Sequence, residues 1–289
     1  MSVIVVTDSS SRLTPDECKQ NNIRQVPLHV LVDGEDLRDG IDEVPNDIHD
    51  RPRATTSGAS PAALIETYRQ ALADSNGDGV VAVHISAALS STFSTAVQAG
   101  REFGPSVRVV NSRSAAMGVG FVARAAADAA SAGADLEIVE AAARSAVPRT
   151  HAFIVVHRLD NLRRSGRIGT AASWLGTALS LKPLLCLDQD GRLVLDQRVR
   201  TLTKAHAAMV DRVAEIVGEG SARIAVHHVD NHDGADEMGA ALTDRLPQIG
   251  SLTVADMGPV LSIHLGAGSI GVVVQTEPDT PETNPRSGR

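Results

Sequence analysis

Short apolar, β-branched runs in this chain empty repeatedly into hydroxyl-rich segments and then into helical periodicity, and that alternation leaves few folds open. The clearest case is residues 80–85, VVAVHI, followed at once by Ser86, Ser90, Ser91, Thr92 and Ser94. Such a run reads as a buried strand, and the apolar spacing beyond it (Phe93, Ala96, Val97) reads as a helix. The opening repeats the pattern: residues 3–6 lead into Thr7, Asp8, Ser9 and Ser10, with Pro15 and Glu17 helping to start a helix. Strands that alternate with helices predict a parallel sheet covered on both faces. Residues 1–149 are therefore expected to form an N-terminal, doubly wound, mostly parallel α/β domain.

After Pro148 the rhythm changes. Residues 183–187 and 192–200 flank DQDGR, a hairpin signal centred on Asp190-Gly191. Helices are expected over 170–181 (with Trp174), 201–217 and 233–246, and strands over 152–156, 222–229, 252–255 and 270–274. This predicts a C-terminal α+β domain with a mixed sheet over 150–276. Residues 277–289 are rich in proline and charge and are expected to be a disordered tail. The polar stretch 33–53 shows no periodic element.

Composition narrows the function classes. Hydrophobic residues make up 43% of the 289, yet aromatics only 2%, so an apolar cavity would be walled by aliphatic side chains, which favours alkyl ligands over flat heterocycles. A net charge of −8 weighs against a general nucleic-acid binder, which needs a basic face. Cys18 and Cys186 have no zinc-like spacing, and no metal is expected. With no signal peptide and no span of apolar length, the expectation is a cytoplasmic protein.

Each candidate motif has a structural reading beside its functional one. Thr55, Thr56, Ser57 and Ser60 before Pro61 form a second hydroxyl cluster at a strand-to-helix junction. Hydroxyls there cap helices, and the same N–H groups accept anions, so the two clusters together point to one carboxylate-type site. The segment from Gly118 to Ala123 matches G-x-G-x-x-A but starts inside a helix, where close packing explains it better than a dinucleotide. His227, His228, Asp230, His232 and Asp233 read as a strand end and a helix cap in preference to a metal nest. His84 lies two residues from Ser86, but no orienting acid is visible, so hydrolase chemistry is unsupported. The run from His157 to Arg167 is locally cationic, either a solvated face or a docking patch for an acidic or phosphate-bearing partner. His264, beside a glycine-rich turn, is either a satisfied core histidine or a ligand contact.

The ordered set of motifs resembles the DegV family. It comprises the opening TDSS, VPLHVLVDGEDLRDG, TTSGASP, HISAALSST, NSRSAAMGVG, LRRSGRI, KPLL before a hairpin, and GPVLSIHLGAG. The resemblance implies two domains that hold one long-chain fatty acid between them, the acyl chain in an apolar tunnel. It further implies a carboxylate network of Thr56, Ser57, Ser86, Ser90 and His264. In such proteins the bound acid is presented to a separate fatty acid kinase, whose acyl phosphate product feeds phospholipid synthesis. The chain would then be a lipid-binding subunit and not an enzyme, monomeric on its own, without a cofactor or a nucleic-acid partner, and open to transient membrane contact. Arg163, Arg164 and Arg167 would form the kinase-docking surface, and the mouth would hold the carboxylate without an arginine. The rival readings are a lipid-responsive regulator, and an acyl- or phosphoryl-transfer enzyme using Ser86 and His264. The chain departs from the family pattern at Ser91, Phe93 and Ser165, and TSGAS lacks the usual proline.

Overall fold

The computed structural model describes residues 2–168 and 182–278. The helix expected over 170–181, with Trp174, and the tail from 279 onward lie outside the described residues.

Four short strands build the N-terminal sheet: β1 (Ile4–Asp8), β2 (Ile23–Val26), β6 (Val80–His84) and β7 (Val107–Asn111). They are parallel, in the order β2-β1-β6-β7. Parallel neighbours require crossovers, and helices supply them on both faces. On one face α2 (Pro61–Ser75) and α3 (Thr92–Gly100) bury Leu64, Tyr68, Ala96 and Ala99. On the other, α4 (Met117–Ser131) and α5 (Leu136–Ala146) bury Val119, Phe121, Val122 and Val139. The short α1 (Pro15–Gln20) begins with a complete capping box between Thr14 and Glu17. The expected doubly wound domain is thus present.

The opening TDSS motif is a structural anchor. Asp8 is fully buried; its Oδ1 accepts the Ser10 N–H, and its Oδ2 accepts from the Ile85 N–H at 2.9 Å and from His84 Nδ1 at 3.0 Å. With its proton on Nδ1, His84 takes the Tyr68 hydroxyl on Nε2 at 2.9 Å. His84 therefore does have an orienting acid, contrary to the sequence reading. Its other nitrogen serves tyrosine and not Ser86, so no triad arises.

The stretch 33–53 also differs from expectation. Pro27 ends β2, and the chain then folds into a small antiparallel sheet of β3 (His29–Val32), β4 (Glu35–Arg38) and β5 (Thr55–Ser57), in the order β4-β3-β5. A 3-10 turn, Ile48–Asp50, packs against α9 (Pro259–Leu265) of the C-terminal domain.

The C-terminal sheet runs β10-β9-β8-β13-β11-β12. Its strands are β8 (Thr150–Val155), β9 (Leu184–Leu187), β10 (Leu193–Gln197), β11 (Ala222–His228), β12 (Ile249–Asp256) and β13 (Ile270–Thr276). Only the β11–β12 pairing is parallel, which makes the sheet mixed as expected. Helices α7 (Leu202–Val217) and α8 (His232–Arg245) cover one face. The other face, with Ile154, Leu185, Ala225 and Val273, shares a continuous core with α4 of the first domain. Asn231 caps α8, accepting the Gly234 N–H, which is the role foreseen for that cluster. Glu277, placed in the tail by the sequence reading, is held by its N–H on the Ser221 carbonyl.

Candidate functional site

Where the C-terminal sheet faces the N-terminal domain, the two leave a cavity of about 260 Å³. Most of its wall is aliphatic: Leu28, Ile85 and Leu89 come from the first domain, and Leu162, Leu187, Leu193, Met257, Val260 and Leu261 from the second. The chain has few aromatics, and among the described lining residues Phe153 is the one phenyl, tyrosyl or indolyl ring in a mainly alkyl surface.

A polar group interrupts that wall. Thr56, Ser57 and Gly58 come from the end of β5, Ser90 and Ser91 from the approach to α3, Arg167 from beyond α6 (Asp160–Arg164), and His264 from α9. The backbone explains why they meet. The Ser86 carbonyl accepts the Leu89 and Ser90 N–H groups, turning the chain sharply after β6, and Ser90 Oγ accepts the Thr92 N–H. A Cβ on Gly58 would come within 2.7 Å of Thr92 Oγ1 and 3.3 Å of its backbone N, so glycine here lets the β5 loop lie against the start of α3 without displacing Thr92. Across the domain boundary, Thr56 Oγ1 and His264 Nε2 are hydrogen bonded at 2.8 Å.

His264 Nδ1 is buried and has no hydrogen-bond partner among the described residues, the open valence of this group. Burial, and then the nearby Arg167 charge, push the imidazole pKa down to about 4, so His264 is neutral at pH 7. A neutral imidazole, three hydroxyls and a threonine hydroxyl can meet a carboxylate or a carboxylic acid with donors and acceptors alike.

The structure brings Thr56, Ser57, Ser90 and His264 to one wall, as the sequence analysis expected. Ser86 is not among the lining residues: fully buried, it donates from Oγ to the Gly191 carbonyl at 2.8 Å and accepts the Ala88 N–H. Arg167, expected on a docking surface, lies in the cavity wall, its Nε on the Leu89 carbonyl at 3.3 Å and its Nη1 on the Ser165 carbonyl at 2.6 Å. The mouth therefore does hold a guanidinium, contrary to the expectation. Its two carbonyl partners compensate for part of its desolvation. Arg164 lies on the surface, its Nη2 bonded to Asn161 Oδ1, and Arg163 is also exposed and also has a partner. The sequence reading missed the contributions of Leu28 and Leu193, whose only signal was an apolar residue beside a turn. Among the described residues, no group of three or more His, Cys, Asp or Glu side chains is arranged to hold a metal.

An interdomain, mainly apolar cavity with a hydroxyl and imidazole cluster defines a two-domain α/β protein with a candidate ligand pocket, and comparison with known proteins gives it a family. The DegV family profile matches residues 2–277, and the chain belongs to that family. A DegV domain-containing protein of Mycobacterium tuberculosis is 59% identical over 281 residues, covering 97% of this chain and all of the relative. Among solved structures, a fatty-acid-binding DegV family protein from Thermus thermophilus superposes with a TM-score of 0.90 at 31% identity, covering 96% of this chain and 100% of that one. DegV of Bacillus subtilis, a fatty acid binding protein, does so with a TM-score of 0.85 at 26% identity, covering 96% and 100%.

Proposed function

We propose that this protein binds one long-chain fatty acid, with the acyl chain in the interdomain cavity and the carboxyl group at Thr56, Ser57, Ser90 and His264. The observation that carries this reading is the buried Nδ1 of His264, without a hydrogen-bond partner among the described residues, in the polar part of a mainly apolar cavity wall. Two structural neighbours described as fatty acid binders support it. Burial of alkyl groups supplies about 0.8 kcal/mol per CH₂, so the chain provides most of the affinity and the polar cluster orients the head.

In the fuller form of this proposal the protein is not itself an enzyme. It presents the carboxyl oxygen to a separate fatty acid kinase, which forms the acyl phosphate for phospholipid synthesis, and Arg163 and Arg164 contribute to the docking surface. An enzymatic role for Ser86 with His264 has little support, because the Ser86 hydroxyl is committed to Gly191 and lies outside the lining. Among the described residues no helix is long and apolar enough to cross a membrane.

The decisive experiment is denaturing mass spectrometry of organic extracts from the purified protein, before and after incubation with oleate and palmitate. The expected result is one fatty acid per chain. Repeated absence of fatty acid in both samples would sink the proposal.

A further inference from the structure

We infer that Ser86 is a positioning residue for the acyl chain and not a ligand of the carboxyl group: it latches the β9–β10 hairpin, whose leucines close the cavity. The inference rests on the fatty-acid reading above.

The hairpin tip enters the N-terminal domain at the end of β6. Ser86, fully buried, donates its hydroxyl to the Gly191 carbonyl at 2.8 Å, bridging residues 105 apart in sequence. Arg113 adds a second bond, Nη1 to the Gln189 carbonyl at 3.0 Å. The fit allows no side chain at the tip. Gly191 has φ +76°, and a Cβ there would come within 2.2 Å of Ser86 Oγ and within 2.8 Å of the Arg113 backbone. Glycine thus meets both demands, left-handed backbone and close approach.

What the latch holds is part of the cavity. The first cross-strand pair below the tip is Leu187 opposite Leu193, and both residues line the cavity. A hairpin whose tip is tied at two points places this pair on whatever fills the space. Meanwhile the Thr56–His264 pair has no hydrogen bond to Ser86 or the hairpin among the described residues, and Ser90 meets Ser86 only through the main chain, its N–H donating to the Ser86 carbonyl, a bond that alanine keeps. The Ser86 side chain is therefore coupled to the alkyl wall, and the Thr56 side chain to the head.

That separation predicts different responses to ligand chemistry. Delipidated wild-type, Ser86→Ala and Thr56→Ala proteins are titrated with oleate and with oleyl alcohol, which keeps the chain and removes the charge. Ser86→Ala is expected to weaken both ligands by the same factor, roughly three- to tenfold for one lost buried hydrogen bond. Thr56→Ala is expected to weaken oleate more than the alcohol. Arg113→Ala, which cuts the latch from its other bond, is expected to reproduce the Ser86→Ala pattern and stands in for it if that variant fails to fold. If Ser86→Ala weakens oleate and leaves the alcohol unchanged, Ser86 acts on the head and the inference is overturned; no effect on either ligand overturns it equally. Wild-type protein that takes up neither ligand removes the fatty-acid reading, and this inference with it.

Discussion

At the scale of single residues, the titration of His264 links the site to stability. Its pKa in the folded chain is about 4, and that of His227, fully buried with Nε2 accepting the Met117 N–H, is also about 4; burial is the main cause for both. An unfolded chain holds these imidazoles near the ordinary value of about 6.5. Between the two values the unfolded state binds more protons than the folded one, so stability falls as pH drops from about 6.5 to about 4. The slope is up to about 1.4 kcal/mol per pH unit for each histidine. Urea midpoints at pH 7 and pH 4.5 are expected to converge by the His264 share in His264→Gln. An unchanged gap between the two midpoints would show that His264 titrates alike in the folded and unfolded chain. Thr56, Ser57, Ser90 and His264 lie together in the cavity wall, a grouping that came from the ordered motifs; from the residues alone, helix capping and a satisfied core histidine stayed open. Ser86 was misplaced because its partner is a carbonyl 105 residues away, which no local pattern encodes. Arg167 read as surface charge for the same reason: its neighbours in sequence are cationic, while one of its carbonyl partners, Leu89, belongs to the other domain.

At the scale of elements, the two glycines that mimic a dinucleotide fingerprint prove to be packing devices. A Cβ on Gly120 would lie 2.7 Å from the Ser11 carbonyl oxygen and 2.6 Å from Met117 Sδ. The methionine can move, but the backbone carbonyl of the opening turn cannot do so cheaply, so α4 approaches that turn only because position 120 lacks a side chain. Gly120→Ala is expected to cost about 1–3 kcal/mol through overpacking, despite the better helix propensity of alanine. Chemical denaturation measures this directly, and a stabilised variant would mean that α4 shifts without penalty. The central parallel strands β1 and β6 were readable because they are buried on both faces and carry continuous apolar runs, whereas the edge strand β2, Ile-Arg-Gln-Val and half-buried, carries no such run. The excursion 33–53 was not readable, since β4 is Glu-Asp-Leu-Arg, a mostly exposed strand with poor β propensity that forms by pairing with β3. Pairing across a tight turn at Asp33-Gly34 supplies what residue type does not, with both residues at positive φ.

At the scale of the whole molecule, the cavity belongs to neither domain alone. The Thr56–His264 bond, the Ser86–Gly191 latch and the packing of the 3-10 turn on α9 are contacts that both domains must make together. Arg12 adds another, with Nε on the Asp256 carbonyl and Nη1 3.7 Å from the buried Asp39. A ligand that fills the space between the domains binds only the closed arrangement, and so shifts the folding equilibrium by mass action. At a free fatty acid concentration a hundredfold above Kd, the folded protein is expected to gain about 2.7 kcal/mol. For a chain of 289 residues that corresponds to a rise in Tm of roughly 4–5 °C. Differential scanning calorimetry of delipidated protein, repeated at several oleate concentrations, is expected to show Tm climbing with ligand while the transition stays single. If the ligand raises one transition and leaves a second in place, the domains unfold independently, and the cavity is a pocket of one domain with the other merely adjacent.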